Sequence, residues 1–334
     1  MDQPLVVAMP LVHEAGRALL RQQHRLLEFD DPAQIPDHLE AADALYCYWP
    51  MHVDARTLAR SPRLKVIAAA GSGVDHIDLA AAQAAGIVVT HTVGHGARSI
   101  AEHAIGHILC LAKRLVEVDR AVRAGEFQQW RENKGAHRYA EISGKTLAIV
   151  GYGAIGRELA RIAARGFDMK VIAVTRPGRQ LEDPNVDRQL PLREALAAAD
   201  IVSIHAPLSA ATRGLIGRAE LACMKPGAWL IDTSRGGVVD SAALVDAVRS
   251  GQIGGAGLDV FDPEPPGVHH PVLELPNVVL SPHSAGITGD AYRRLALAAA
   301  KDIADALRGV RPAGLLATSA WAGSRAAAAG GQVA

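Results

Sequence analysis

Polar residues that could carry chemistry collect in four short segments, each of which directly follows an apolar run. These segments are residues 71–75, 233–237, 259–265 and 281–286. An arginine followed by two glycines, as at Arg235, can bind a carboxylate through two parallel hydrogen bonds. A histidine such as His283 can transfer a proton, and a glutamate such as Glu264 can hold that histidine charged by pairing with it.

Each of these three residues also has an ordinary explanation. Arg235 alone is typical of a surface ion pair, His283 of a hydrogen-bonded loop histidine, and Glu264 of a solvated carboxylate. Their shared position changes this interpretation, because each follows a predicted strand of one parallel sheet. Ligands of such sheets bind beyond the carboxyl ends of the strands. Together, the three residues therefore predict an active site.

The element that must position these residues begins at a glycine fingerprint, Gly151-Tyr152-Gly153-Ala154-Ile155-Gly156. An apolar run at 145–150 is typical of a buried strand, and 157–163 have helical composition. Gly151 permits a tight turn, Gly153 lets the backbone approach a pyrophosphate, and Gly156 lets helix and strand pack closely. The helix start offers N–H groups and a positive dipole end to the phosphates. This context predicts a dinucleotide site.

Strands and helices alternate along most of the chain, which predicts parallel sheets covered on both faces. The alternation before the fingerprint predicts a separate α/β domain. The predicted strands are residues 5–9, 44–48, 64–69, 87–90, 145–150, 169–174, 200–205, 228–232, 255–260 and 278–281. The predicted helices are residues 17–27, 54–60, 78–85, 99–122, 157–163, 241–250 and 290–307.

Charge and cysteine usage narrow the class of protein. The 334 residues include 35 basic and 35 acidic side chains, with no basic block that would indicate a nucleic-acid partner. No apolar run reaches membrane-spanning length, and the N-terminus is not typical of a signal peptide. Three scattered cysteines, Cys47, Cys110 and Cys223, fit a reducing compartment. We therefore expect a cytoplasmic protein without membrane or nucleic-acid partners.

The predicted helix at 99–122 carries a histidine pair with metal-like spacing. His107 lies four residues after His103, and Glu102 directly precedes His103. Two histidines at this spacing can share a metal ion. Because no third ligand cluster is present and Gly106 weakens the motif, a helix packed between domains is the better interpretation. We expect no metal site.

The chain resembles the D-isomer-specific 2-hydroxyacid dehydrogenases from about residue 5 to residue 315. The resemblance rests on the glycine fingerprint and on several specific segments. These are Ile142-Ser143-Gly144-Lys145-Thr146, Ala206-Pro207-Leu208, Thr212-Arg213-Gly214-Leu215-Ile216, Met224-Lys225-Pro226-Gly227, Arg235-Gly236-Gly237-Val238-Val239-Asp240 and Ser281-Pro282-His283.

This resemblance implies two doubly wound α/β domains, with a Rossmann-type cofactor domain inserted in a flavodoxin-like substrate domain. The implied substrate domain comprises residues 1–98 and 292–317, and the dinucleotide-binding domain comprises residues 99–291. We expect a disordered tail at 318–334, because no periodic apolar face is present there. The family is also typically dimeric, so a homodimer is expected.

The resemblance also implies the roles of individual residues. Arg235 would clamp the substrate carboxylate, His283 would be the acid/base, and Glu264 its partner. The backbone of Gly71, Ser72 and Gly73 would help to bind the substrate. Asp259 and the backbone of Thr233 would hold the nicotinamide carboxamide, and Pro207 would lie near the adenine. The cofactor-binding residues would be Gly151, Gly153, Ala154, Ile155, Gly156, Thr175, Arg176, His205, Ala206, Pro207, Thr212, Thr233, Ser234, Asp259, His283 and Ala285.

The turn after the second strand of the cofactor domain predicts which dinucleotide binds. NAD-type members carry an acidic residue there, which accepts hydrogen bonds from the ribose and repels a 2′-phosphate. Here the strand ends in Thr175-Arg176-Pro177-Gly178-Arg179, and the first acidic residue is Glu182. A solvated basic turn is the alternative explanation. We predict that NADP(H) is preferred and that NAD(H) can also be used.

Several activities remain open on this architecture. A formate oxidiser would be expected to have glutamine in place of Glu264, and a phosphite oxidiser a lysine in the glycine loop at 71–73. A D-3-phosphoglycerate dehydrogenase-like enzyme is a further alternative. A nucleotide-gated co-repressor would keep the same three polar residues. The leading prediction is a glyoxylate or hydroxypyruvate reductase-like enzyme that interconverts a small 2-keto acid and its D-2-hydroxy acid.

Overall fold

The computed structural model describes residues 3–133, 139–317 and 319–330 and divides into two compact units. Residues up to Gly96, together with those from Ile287 onward, form the first unit, and Ala97–Gly286 form the second. Elements are numbered along the whole chain. Among the described helices, none combines the length and the apolar character that crossing a membrane would require.

The first unit is built on a five-stranded parallel sheet. Its strands are β1 (Leu5–Ala8), β2 (Arg25–Glu28), β3 (Ala44–Cys47), β4 (Val66–Ala69) and β5 (Val88–His91). Their spatial order is β2-β1-β3-β4-β5, and all four pairings are parallel. This is the flavodoxin-like order.

Helices cover both faces of this sheet. They are α1 (Glu14–Arg21), α2 (Ala55–Ala59), α3 (Leu79–Ala84), α11 (Gly289–Leu307) and α12 (Arg325–Gly330), with a 3₁₀ helix at Pro32–His38. Alternate residues of β1 enter different apolar clusters: Leu5 and Val7 face one side, and Val6 and Ala8 the other. This two-residue period is the reason that a parallel strand buried on both faces is apolar throughout.

The second unit contains a seven-stranded parallel sheet. Its strands are β6 (Thr146–Val150), β7 (Lys170–Val174), β8 (Arg188–Gln189), β9 (Ile201–Ile204), β10 (Ala228–Asp232), β11 (Ile253–Leu258) and β12 (Val278–Leu280). Their order is β12-β11-β10-β9-β6-β7-β8. Numbered from β6, the run β8 to β11 follows the Rossmann order 3-2-1-4-5-6. The predicted fold class is confirmed.

Seven α-helices and two 3₁₀ helices surround this sheet in the described part of the unit. They are α4 (Ala97–Lys113), α5 (Leu115–Arg123), α6 (Phe127–Glu132), α7 (Ala154–Phe167), α8 (Leu192–Ala198), α9 (Arg218–Cys223), α10 (Ser241–Arg249), Gly236–Val238 and Pro271–Glu274. Helices α4 and α7 pack on one face, where Ala104, Ile108 and Leu159 are fully buried. The carboxyl ends of all seven strands meet at one edge of the sheet, so the loops that follow β6, β7, β9, β10, β11 and β12 share that edge.

Two predicted helices differ from the structure. The helix predicted at 17–27 ends at Arg21, and the chain then enters β2, whose alternating half-exposed residues are typical of a sheet edge. The helix predicted at 99–122 is interrupted by Arg114, which adopts a left-handed φ of 50° and separates α4 from α5. In both cases the tertiary packing, and not the composition, determines where the helix ends.

The end of the chain also differs from its prediction. The predicted disordered tail is wrong for residues 319–330, because α12 docks on the first unit. The Arg325 guanidinium donates to the carbonyl oxygens of Ser61 and Leu64, each at 3.0 Å, and Ala326 is fully buried. Residues 318 and 331–334 lie outside the described residues. The predicted domain boundaries at 98/99 and 291/292 fall inside α4 and α11, which the structure keeps whole.

Candidate active site

The glycine fingerprint forms the turn between β6 and α7. Gly151 has a φ of 97°, and a Cβ there would lie 2.6 Å from the backbone of His205 and Ala206. A Cβ on Gly156 would lie 2.7 Å from the Gly151 carbonyl oxygen. Only glycine fits these two positions, because β6, β9 and α7 approach one another too closely for a side chain.

Gly153 behaves differently from its two neighbours. It precedes α7, and a Cβ built on it would meet no described atom within 4 Å. Among the described side chains, none caps the N-terminus of α7, so the first N–H groups of the helix, including those of Ala154 and Ile155, have no side-chain acceptor. Exposed N–H groups at a helix start beside a bare backbone fit a dinucleotide pyrophosphate.

The turn that follows β7, residues 175–181, is here called the Thr175 turn. Gln189 on β8 fastens it: its amide nitrogen donates to the Thr175 Oγ1 at 2.8 Å and to the Arg179 carbonyl at 2.5 Å, and its amide oxygen accepts from the Leu181 N–H at 3.1 Å. The side chain of Arg176 is exposed. The turn therefore has a fixed inner side and a basic outer side.

The segment after β9 closes against the fingerprint. The His205 N–H donates to the Val150 carbonyl at 2.7 Å, and its Nε2 lies 2.8 Å from Ser203 Oγ. Burial lowers the pKa of His205 to about 4, so its imidazole is neutral at physiological pH. The Thr212 hydroxyl donates to the Pro207 carbonyl at 2.5 Å, which fixes the following loop.

At the end of β10, Ser234 and Arg235 follow a buried carboxyl group. The Ser234 hydroxyl and N–H both donate to Asp232 Oδ1, at 2.6 and 2.8 Å. Burial raises the pKa of Asp232 to about 7. The Arg235 guanidinium donates to the Ser234 carbonyl at 2.7 Å, and Thr233 is buried. Asp232 was not among the predicted site residues, because nothing in its local sequence indicates complete burial.

The two glycines after Arg235 bring neighbouring strand ends together. A Cβ on Gly236 would lie 1.9 Å from the backbone of Phe261, so only glycine fits. Arg213 and Asp262 form an ion pair at 3.2 Å beside Gly237. The segment after β10 therefore lies directly against the segment after β11, which carries Glu264.

Residues 281–285 after β12 are here called the His283 loop, and Asp259 is its anchor. One carboxylate oxygen of Asp259 accepts from the Ser281 hydroxyl at 2.5 Å and from the Ser284 N–H at 2.8 Å. The other accepts from the Ala285 N–H at 2.9 Å, and the Asp259 carbonyl accepts from the His283 N–H at 2.8 Å. Asp259 is buried. Its predicted contact to the nicotinamide carboxamide stays a prediction.

His283 and Glu264 lie in direct contact at this edge of the sheet. The Nδ1 of His283 lies 2.5 Å from Oε1 of Glu264. His283 has a φ of 52°, a left-handed conformation that is uncommon for a residue with a side chain. Such conformations persist only where the surroundings hold them, and they cluster at functional positions.

The predicted substrate loop lies in the first unit, at the end of β4. The Gly71 carbonyl accepts from the Thr92 N–H at 2.9 Å, and the Ser72 carbonyl lies 3.2 Å from Nδ1 of His91. A Cβ on Gly71 would meet no described atom within 4 Å. The role of residues 71–73 in binding substrate stays a prediction.

Comparison with known proteins decides the family. Residues 105–285 match the model of the D-isomer specific 2-hydroxyacid dehydrogenase NAD binding domain. The chain belongs to this family. Its members are NAD(P)-dependent oxidoreductases that act on small 2-hydroxy and 2-keto acids, so the predicted enzyme class is confirmed.

Individual members of the family are similar over most of the chain. A glyoxylate reductase from Aeropyrum pernix is 40% identical over 280 residues, which cover 82% of this chain and 83% of that protein. A D-3-phosphoglycerate dehydrogenase from Archaeoglobus fulgidus is 35% identical, over 77% of this chain and 48% of that protein. A crystal structure of an NADPH-dependent glyoxylate/hydroxypyruvate reductase from Sinorhizobium meliloti, in complex with NADP and malonate, is similar at a TM-score of 0.82 and 26% identity, covering 95% and 98% of the two chains.

The histidine pair on α4 has a different environment from the one its spacing indicates. The Nε2 atoms of His103 and His107 lie 2.8 and 3.2 Å from the Ser281 hydroxyl. Across the described ranges, no three histidine, cysteine or carboxylate side chains are grouped as metal ligands would be. In this 2-hydroxyacid dehydrogenase the pair therefore contacts the His283 loop.

Proposed function

We propose that this enzyme reduces a small 2-keto acid of the glyoxylate and hydroxypyruvate type to its D-2-hydroxy acid, with NADPH preferred over NADH. The observation that carries the proposal is the 2.5 Å contact between His283 and Glu264. These residues follow β12 and β11, and Arg235 follows β10, the next strand of the sheet. An acid, its partner and an anion-binding side chain thus follow three adjacent strands.

The chemistry assigned to these residues follows from their hydrogen-bonding capacity. Because Glu264 occupies Nδ1 of His283, the ring proton available to a substrate is the one on Nε2. The imidazolium donates this proton to the carbonyl oxygen of the 2-keto acid as that oxygen gains charge. Arg235 binds the neighbouring carboxylate through its planar fork and holds the carbonyl in line with His283.

The dinucleotide would be held by the exposed N–H groups at the start of α7 and by the bare backbone of Gly153. When bound, it supplies the hydride for the carbonyl carbon. Arg176 would pair with the 2′-phosphate of NADP, and the hydroxyl of Thr175 lies on the same turn. The absence of an acidic residue at the end of β7 supports the preference for NADP, because no carboxylate repels the phosphate there.

Two observations bear on rival activities and on assembly. Position 264 is glutamate, whereas a formate oxidiser is expected to have glutamine there. Large apolar side chains are exposed on two consecutive helices, and their number supports a homodimer. They are Leu115, Val116 and Val122 on α5 and Phe127 on α6. Sedimentation equilibrium tests this assembly, and a monomer at all concentrations would contradict it.

The substrate is tested with a panel of 2-keto acids assayed with both cofactors. We expect glyoxylate and hydroxypyruvate to be reduced with a higher kcat/KM than bulkier 2-keto acids and than 3-phosphohydroxypyruvate. Preference for the phosphorylated substrate would favour a phosphoglycerate dehydrogenase activity instead. A protein that binds NADPH and turns over none of these acids would support a nucleotide-gated binding module.

The cofactor preference is tested by the double variant Thr175→Asp/Arg176→Ala, with Arg165→Ala as a control arginine on α7. A charged contact to phosphate contributes roughly 1.5–3 kcal/mol, or about 10–150-fold in affinity. We expect the double variant to lose this factor for NADPH and to gain affinity for NADH. Equal or better use of NADH by the wild-type enzyme would contradict the preference.

A further inference from the structure

We propose that His103, His107 and Ser281 are positioning residues of the reaction: they form a hydrogen-bonded cluster that fixes Asp259 and, through it, the proton-donating ring of His283. This inference rests on the proposed function for the role of His283. The cluster itself rests only on contacts within the second unit. It explains why helix α4 carries two histidines four residues apart without a metal-ligand group.

The contacts converge on a single hydroxyl group. The Ser281 Oγ lies 2.5 Å from Asp259 Oδ1, 2.8 Å from His103 Nε2 and 3.2 Å from His107 Nε2. The two imidazole rings contact each other edge to face, with centroids 4.6 Å apart. A Cβ on Gly257 would lie 2.7 Å from the Cβ of His107, so β11 has a glycine where this ring passes.

The number of protons on the Ser281 hydroxyl determines which group donates in each of its three hydrogen bonds. A serine hydroxyl carries one proton and two acceptor sites. Asp259 is an acceptor at this contact, since both of its oxygens also accept backbone N–H groups. The proton of Ser281 therefore points to Asp259, and His103 and His107 must each donate from Nε2.

The protonation state of the His107 ring agrees with this assignment of donors and acceptors. Burial lowers its pKa to about 4, so its ring is neutral and carries one proton near pH 7. With that proton on Nε2, Nδ1 is a bare acceptor. Nδ1 of His107 is buried and makes no hydrogen bond to any described atom. A bare acceptor is the less costly atom to leave unpaired, and the tautomer is thereby assigned.

The cluster acts on catalysis through the His283 loop. Asp259 holds three groups of the loop with its carboxylate and the His283 N–H with its carbonyl. Removing the Ser281 hydroxyl takes one donor from Asp259 and the common acceptor from both histidines. Because proton transfer requires near-contact geometry, a shift of about 1 Å in His283 can cost about 100-fold in rate.

The first experiment compares Ser281→Ala with Ser281→Thr, which keeps the hydroxyl, and with Ser250→Ala, which removes a serine hydroxyl at the end of α10. We expect Ser281→Ala to lower kcat for glyoxylate by about 10–100-fold while the NADPH dissociation constant, measured by fluorescence, changes little. Ser281→Thr should restore most of kcat, and Ser250→Ala should match the wild type. Wild-type kcat in Ser281→Ala would overturn the proposal.

The second experiment uses the half-exposed His103, whose substitution does not open the core. His103→Gln keeps an N–H donor at a position similar to Nε2, whereas His103→Leu removes it at similar size. We expect His103→Leu alone to lower kcat, by about 10-fold. Equal activities of the two variants would overturn the role of the donor. If Ser281→Ala does not fold, the comparison of the two His103 variants still tests the proposal.

The third experiment has a readout independent of turnover. Nitrogen-15 NMR of histidine-labelled protein distinguishes the two neutral tautomers, and a His107→Gln variant identifies the His107 signal. We expect the Nε2–H tautomer in the wild type and a mixture in Ser281→Ala. The Nδ1–H tautomer in the wild type would overturn the cluster. If the wild type reduces no 2-keto acid, the proposed function fails while this measurement still decides the hydrogen bonds.

Discussion

The His283 loop and the Thr175 turn both follow strands of the same sheet, yet they are held in different ways. Asp259 binds the loop through its carboxylate and its carbonyl, and the Ser99 hydroxyl adds a bond of 2.7 Å to the Ala285 carbonyl. The turn is held by neutral groups instead: the amide of Gln189, and the Thr175 hydroxyl, which lies 3.2 Å from the carbonyl oxygens of Arg176 and Arg179. The side chain of Arg176 is exposed.

This difference matches the chemistry proposed for each segment. Proton transfer requires reacting atoms at hydrogen-bond distance, so a misplaced imidazole loses most of its rate. Attraction between a guanidinium and a phosphate falls only with the inverse of their separation, so it tolerates movement of a long side chain. A segment that selects the cofactor can therefore be held by neutral hydrogen bonds, whereas the segment that carries the acid is held by the buried carboxylate of Asp259.

The largest effect is expected at the tip of the loop. His283→Ala should lower kcat by about 10²–10⁴-fold, because a general acid contributes about this much. Glu264→Gln should lower kcat less, since the ring remains but loses its charged partner. Affinity for the cofactor, measured by isothermal titration with NADPH, should weaken far less than kcat falls in both variants. Full activity in His283→Ala would assign the acid to another residue.

An intermediate effect is expected at Arg235, on the strand end between the two segments. Arg235→Lys keeps the charge but cannot make the two-pronged contact to a carboxylate. The KM for glyoxylate should rise by about 10-fold or more, which corresponds to the loss of one charge-assisted hydrogen bond. An unchanged KM in steady-state kinetics would locate the carboxylate clamp elsewhere.

A smaller effect is expected at Gln189, whose substitution tests how the Thr175 turn is held. Gln189→Leu removes the three hydrogen bonds that the Gln189 amide makes to the Thr175 turn, and a net hydrogen bond contributes about 0.5–1.5 kcal/mol. The KM for NADPH should rise by about 2–10-fold, with kcat unchanged. A drop in kcat comparable to that of His283→Ala would remove the distinction between the two segments.

The last prediction concerns the stability of the fold at acid pH. Its effect at the pH of the activity assays is the smallest, because this loss of stability occurs only below neutrality. Burial lowers the pKa of both His107 and His205 to about 4 from an ordinary value near 6.5. Below pH 6.5 the unfolded chain therefore binds more protons than the folded one. Stability should be fully present above pH 6.5 and decline toward pH 4, by about 1.4 kcal/mol per pH unit for each histidine. Urea unfolding of His107→Gln should show a shallower decline than the wild type.

The fingerprint and the strand-end motifs were predictable because their requirements are local. A turn such as that at Gly151, with a φ of 97°, demands glycine, and strands buried on both faces are continuously apolar. The sequence also indicated His283, Glu264 and Arg235 as members of one site, because parallel strands present their carboxyl ends together. These inferences need only the spacing of residues along the chain.

What the sequence could not determine are the contacts between residues far apart in the chain. Ser281 meets His103 across 178 residues and His107 across 174, so the spacing that resembled a metal motif had no local sign of its true partner. Likewise, the Arg325 guanidinium donates a hydrogen bond to the carbonyl of Ser61, which lies 264 residues earlier in the chain. This contact holds a helix in a segment that has no periodic apolar face. Side-chain hydrogen bonds depend on distances of a few ångströms, and only the packed sheet brings these groups that close.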